Sequence, residues 1–328
     1  MMFFIQHPLR VTAVVLAVAC GCFVWSLSSG ALAVPASSGK AGPGLGERAT
    51  PSAEPQTAAP VDSASPSPVP APPAADGCYH IYLDFGTNTA VQFHKLYDPG
   101  SLPPSDVPGR TIRTKFDQFF GSDAELRRSD VCGFGFEPNP SHRDILRQTT
   151  VHYGNKGVRL AIVESGVGTF DGWGVVVSDE AYEQDEWGSK VVPVQPGTPV
   201  PADAIRVINA ASWFAANVQR SQRPPQGTRA LPPAIVIKVD IEGSDESVLA
   251  MLVASGALCN VDYVYVEHVR PDVLDLFMLQ LRTAGCSTLV EKFDDESFHN
   301  FKPAWASPTK APLRRRYEVY RSQFTKWR

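Results

Sequence analysis

Ala234–Gly256 reads AIVIKVDIEGSDESVLAMLVASG, a strand, a turn and a helix in one continuous run. Ala234 to Ile241 is short and apolar nearly throughout, with Lys238 and Asp240 as its only charged residues. That pattern suits a strand buried on both faces of a parallel sheet. Ser244 to Ala254 opens with the acidic pair Asp245-Glu246 and closes at Gly256, the signature of a capped helix.

Four more runs of the strand type lie at Tyr79–Phe85, Val131–Phe136, Val158–Val163 and Val261–Val266. A second helix, Pro271 to Ala284, carries Pro in its first turn and stops at Gly285. Strands alternating with helices imply right-handed crossovers and an α/β fold, a Rossmann-like doubly wound sheet. Ligands of such sheets lie beyond the carboxyl ends of the strands, where the strand order reverses. The residues that follow each strand are therefore where chemistry is expected.

Those residues are mostly acidic. Asp84-Phe85-Gly86-Thr87-Asn88 closes the first strand, and Gly86 allows a close backbone approach. Phe136-Glu137-Pro138-Asn139-Pro140 follows the second, where a carboxylate can take both hydroxyls of a ribose. Glu164-Ser165-Gly166-Val167-Gly168 follows the third, Asp240-Ile241-Glu242-Gly243 the fourth and Glu267-His268 the fifth. Each has a plainer reading: a turn for Gly86, favourable charge at a helix start for Glu242 and Asp245, a core histidine for His268. A dinucleotide site is disfavoured, because no G-x-G-x-x-G is present and Glu137 lies far beyond the usual acidic spacing.

Taken in order, IYLDFGTN, GFEPNP, IVIKVDIEGSDESVLAMLVASG and VDYVYVEH resemble the FkbM-type methyltransferase family over about Tyr79 to Phe293. The resemblance implies a class I methyltransferase-like sheet and S-adenosylmethionine as cofactor. It would set Asp84, Gly86 and Asn88 at the methionine end, Glu137 on the ribose, and Glu164 to Gly168, Gly166 among them, near the adenine. Asp240, Glu242, Glu267 and His268 would face the methyl group and a hydroxyl acceptor, with His268 or Asp240 as base. No resident metal is expected, although Asp240, Glu242 and Glu267 offer a metal-assisted variant. Ala90, where the family usually has Gly, and Asp245, where Glu is common, read as mild departures. An insertion from about Pro99 to Arg128 is expected to reshape the acceptor side.

The flanks suggest the setting. Val11 to Val34 holds no charged residue and is long enough to span a bilayer, with Arg10 on its short flank. Pro35 to Ala75 is Pro, Ala, Ser and Gly-rich and reads as a disordered stem. The expected layout is a cytosolic tail (1–10), a transmembrane signal anchor (11–34), the stem (35–75) and a catalytic domain (76–328). That is a single-pass type II membrane protein of the Golgi or endomembrane lumen, with secretion after cleavage near Ala31-Leu32-Ala33 as the alternative. The acceptor would then be a glycan or small-molecule hydroxyl.

With 43% hydrophobic residues, 20% charged and a net charge of −4, the chain lacks the basic excess of a nucleic-acid binder. A luminal domain permits disulfides, Cys78–Cys132 first and Cys259–Cys286 second, with free thiols as the plainer reading. The basic, aromatic stretch Leu313–Arg328 reads as a solvated helix or a contact for an acidic glycan. The competing functions are a Golgi-type glycosyltransferase, for which a strict Asp-x-Asp is missing, and a non-catalytic binding protein on the same fold.

Overall fold

All six residues of β1 (His80–Phe85) are buried, as a strand with neighbours on both sides and both faces must be. The computed structural model describes residues 73–102, 112–177, 188–293, 295 and 303–306. The expected tail, anchor, all but the end of the stem, and the basic stretch 313–328 lie outside these residues. Among the described residues no helix is long and apolar enough to cross a membrane.

In chain order the elements are β1, α1 (Val91–Tyr97), α2 (Ile112–Phe120), α3 (Ala124–Asp130), β2 (Val131–Phe136), α4 (Arg143–Gly154) and β3 (Leu160–Val163). Then come β4 (Ser165–Gly168), β5 (Gly172–Val177), β6 (Lys190–Pro193), β7 (Ile205–Asn209) and α5 (Ala210–Phe214). The chain continues through β8 (Ile235–Val239), α6 (Asp245–Ala254), β9 (Tyr263–Val266), α7 (Pro271–Thr283) and β10 (Leu289–Lys292). Six strands form one sheet in the order β10-β9-β8-β1-β2-β3, every pair parallel. The order reverses between β1 and β8, which pair with Asp84 opposite Lys238.

Strand alternation divides the core in two. Ile81, Leu83 and Phe85 join Val248, Leu249 and Leu252 of α6 and Phe277 and Leu281 of α7 on one face. Tyr82 joins Phe93 of α1, Phe116 of α2 and Tyr153 of α4 on the other. This is the expected three-layer α/β arrangement, and the predicted strands and helices match β1, β2, β3, β8, β9, α6 and α7 within three residues at each end.

Three features differ from the sequence reading or extend it. A second sheet, ordered β4-β7-β5-β6, stands between β3 and β8 in the chain, where no strand was expected. The insertion's α2 lays Ile112, Phe116 and Phe120, one helical stripe, onto the sheet, with Phe116 in edge contact with Tyr82 at 5.1 Å. Its described helices thus cover a face of the sheet rather than the strand ends. Both expected disulfides are closed, with Cα separations of 5.7 Å for Cys78–Cys132 and 4.7 Å for Cys259–Cys286.

Candidate functional site

The loop after β1 is fixed by its own backbone. The amides of Gly86 and Thr87 both donate to the Phe136 carbonyl at 3.1 Å, and the Thr87 hydroxyl donates to the Asp84 carbonyl at 3.0 Å. Gly86 has φ +84°, and a Cβ there would fall 1.7 Å from the Asp240 carbonyl oxygen. No other residue allows the β1 and β8 ends to meet this closely. Asn88 (φ 50°) and Ala90 (φ 68°) also take the left-handed conformation. At Ala90, a mild departure from the Gly usual in the resembled family, this conformation costs an L-residue about 1–2 kcal/mol.

Glu137 joins two loops. Its Oε2 accepts from the Asn88 amide at 2.7 Å and its Oε1 from the Asn139 amide at 2.8 Å. The side chain is 8% exposed and lies 3.6 Å from His142 Nδ1. A carboxylate has about four lone-pair sites, so two amides leave acceptor capacity free for a ligand hydroxyl.

Lys238 crosses the switch point. Its Nζ donates to the Gly86 carbonyl at 2.9 Å and to Asp240 Oδ2 at 2.7 Å, and lies 3.7 Å from Asp84 Oδ1. Burial works against its charge, but the Asp240 and Asp84 carboxylates outweigh it and hold the ammonium's pKa above the usual lysine value. Asp84 is fully buried, and neither of its side-chain oxygens receives a hydrogen bond. Burial pushes its carboxyl up to about 7, with Asp240 and Glu137 adding to the rise and Lys238 opposing it. The side chain shares the face of Tyr82, so it sits beneath the loop and is not part of the cleft wall.

Beyond β8, Glu242 holds a left-handed backbone (φ 46°). Its Oε2 lies 3.3 Å from His268 Nε2, which is also 3.7 Å from Glu267 Oε1. Burial, then the charge of Asp240, raises the Glu242 carboxyl. Asp245 in the first turn of α6 is raised by the same two causes in the same order.

These parts border a cleft of about 70 Å³, open to solvent on one side, at the carboxyl ends of β1, β2, β8 and β9. Of the residues expected at the site, it gathers Gly86, Asn88, Glu137, Gly166, Asp240, Glu242 and Glu267 in its wall. His268 is not in the wall, but its Nε2 pairs with Glu242 and Glu267, which are. Glu164 is elsewhere: its oxygens are engaged by Arg143 Nε at 2.6 Å and Arg147 Nε at 3.1 Å on the outside of α4. The sequence reading missed His142, Ser189, Val191 and Ser244, which also line the wall. Val191 comes from the second sheet, whose role is to close this side. Four carboxylates face the cleft, and no Lys or Arg lines it among the described residues. Comparison of the chain with protein-family models, with curated proteins and with solved structures finds no match.

Proposed function

We propose that the chain is an S-adenosylmethionine-dependent methyltransferase on a class I methyltransferase-like sheet, acting on a hydroxyl acceptor such as a sugar. The observation that carries this reading is the sign of the cleft. A sulfonium cofactor brings a positive sulfur and an ammonium, both favoured beside Glu137, Asp240, Glu242 and Glu267. A dinucleotide or nucleotide sugar brings phosphates, which want Lys, Arg or a helix N-terminus; the α6 N-terminus at Ser244 borders the cleft, but Asp245 and Glu246 in its first turn oppose a phosphate there. The resemblance of the ordered strand-end motifs to the FkbM-type family points the same way.

When bound, the cofactor would supply an activated methyl group, so the chain's own work is alignment and proton removal. Glu137, already fixed by two loop amides, offers its remaining lone pairs to vicinal hydroxyls. Gly86 and Asn88 supply backbone at the closest approach of β1 and β8. His268 Nε2, flanked by Glu242 and Glu267, takes the acceptor proton, and these carboxylates favour the charge the ring then gains. The setting proposed for this reaction is the secretory lumen, reached through the N-terminal anchor.

Calorimetric titration with S-adenosylmethionine, and separately with a nucleotide sugar plus Mn²⁺, tests the reading. Saturable heat is expected for the first alone, and it should vanish in Ser189→Trp, which fills the cleft. Binding of the nucleotide sugar without binding of the cofactor would replace methyl transfer with glycosyl transfer.

A further inference from the structure

We propose that Asp240, Glu242 and His268 form a binding site for one divalent transition cation, with Glu267 beside it. One donor atom from each of the three lies within 4.8 Å of the others. A cation held at ~2.0–2.2 Å by carboxylate oxygen and imidazole nitrogen sets neighbouring donors roughly 3 Å apart. His268 Nε2 and Glu242 Oε2, 3.3 Å apart, already have that spacing, and Glu267 Oε1 is 3.7 Å from the same nitrogen. A single ring nitrogen thus faces two carboxylates, the arrangement a shared cation would leave.

Charge points to the same occupant. Asp245 is 1% exposed and its Oδ2 has no hydrogen-bond partner, within electrostatic range of Asp240 and His268. With Asp240, Glu242 and Glu267 it gathers four carboxylates around Lys238 and the imidazole. Side-chain exposures of 40% for His268, 34% for Glu242 and 21% for Asp240 leave coordination positions open to water or ligand. One imidazole among carboxylates suits Mn²⁺ or Zn²⁺ better than Mg²⁺, which prefers oxygen throughout. A plain surface pair of Glu242 with His268 is the rival explanation; it requires no ion and contributes little.

If methyl transfer is the reaction, the cation would take the acceptor oxygen and ease loss of its proton to Glu267 beside it, His268 Nε2 then being a ligand and no longer the base; that role alone rests on the proposed function. The site itself is tested without cofactor. Mn²⁺ is titrated into the full chain and free Mn²⁺ is read by electron paramagnetic resonance. The expected result is loss of signal equivalent to one ion per chain, with His268→Ala and Glu242→Gln each weakening binding tenfold or more. Unfolding curves of the two variants check that these half-exposed substitutions leave the fold intact. Glu246→Gln, on the neighbouring half-buried carboxylate of α6, which pairs with Arg270, should bind as the parent does. No binding at millimolar Mn²⁺, or binding indifferent to both site substitutions, overturns the proposal and leaves the cofactor reading to its own titration.

Discussion

Asp84→Asn should stabilise the protein, by an amount that grows with pH. Asp84 is fully buried, accepts no hydrogen bond on its side chain, and has its carboxyl raised from 3.8 to about 7. The folded state therefore holds this proton more tightly than the unfolded chain. Stability from the group is fully present below about pH 4 and is lost as pH rises toward about 7, then stays level. At about 1.36 kcal/mol per tenfold change in proton affinity, the whole loss is about 4 kcal/mol, and about 2–3 kcal/mol of it falls between about pH 5 and about pH 7.5. Asn keeps the shape and carries no charge, but it buries an amide that lacks a partner, at a cost of about 1–3 kcal/mol. The variant should then be near parity at about pH 5 and about 1–3 kcal/mol more stable at about pH 7.5. Urea unfolding of both proteins across this range measures the difference, in which titrating groups remote from Asp84 cancel. A gap that stays constant or narrows with rising pH would refute the argument that Asp84 is a costly buried charge.

Other outcomes follow from the same geometry. His94 donates to or accepts from the Tyr153 hydroxyl at 2.7 Å and is held neutral, its pKa lowered to about 4 chiefly by burial. Stability from this depressed group is present above pH 6.5 and is lost as pH falls, about 2 kcal/mol by about pH 5; His94→Gln should lose less over that interval, as read by chemical unfolding. Cys78→Ser with Cys132→Ser opens a loop of sequence separation 54 and should lower stability by about 4 kcal/mol. A thermal midpoint unchanged from the parent under oxidising conditions would count against the bond. Phe116→Ala removes a fully buried ring wedged against Tyr82 and should cost about 3–5 kcal/mol, showing that the insertion's α2 belongs to the core.

The parts of this fold that were legible in the sequence are those with a single physical requirement. IVIKV and YVYV must be buried on both faces, and their apolar content says so. Helices α6 and α7 announce their ends through acidic or Pro starts and Gly stops. The second sheet was not legible, because its strands are four to six residues long, three of them contain Gly or Pro, and only β4 is buried throughout. That omission also hid Val191 and the closure of the cleft. Glu164 looked like a strand-end ligand, yet Arg143 and Arg147, one helical turn apart, capture it. The family resemblance sets Asp84 at the methionine end, whereas its position at the end of β1 equally allows it to hold the loop, and the structure leaves it out of the cleft wall. Counting alternation from Tyr82 would have turned its side chain away from the cleft and under α1. His142 had a signal in Asn139-Pro140, since the Asn139 side chain accepts from the Ser141 amide and starts the turn that carries it.

Hydrogen exchange of the protein with and without S-adenosylmethionine tests the central claim most directly, because it reads ligand and location together. The account predicts slowed exchange in three strand-end segments that border the cleft, 86–90, 137–142 and 240–245, with little change at the amino ends of the same strands. Protection absent from all three, or produced there by a nucleotide sugar and not by the sulfonium cofactor, would contradict it.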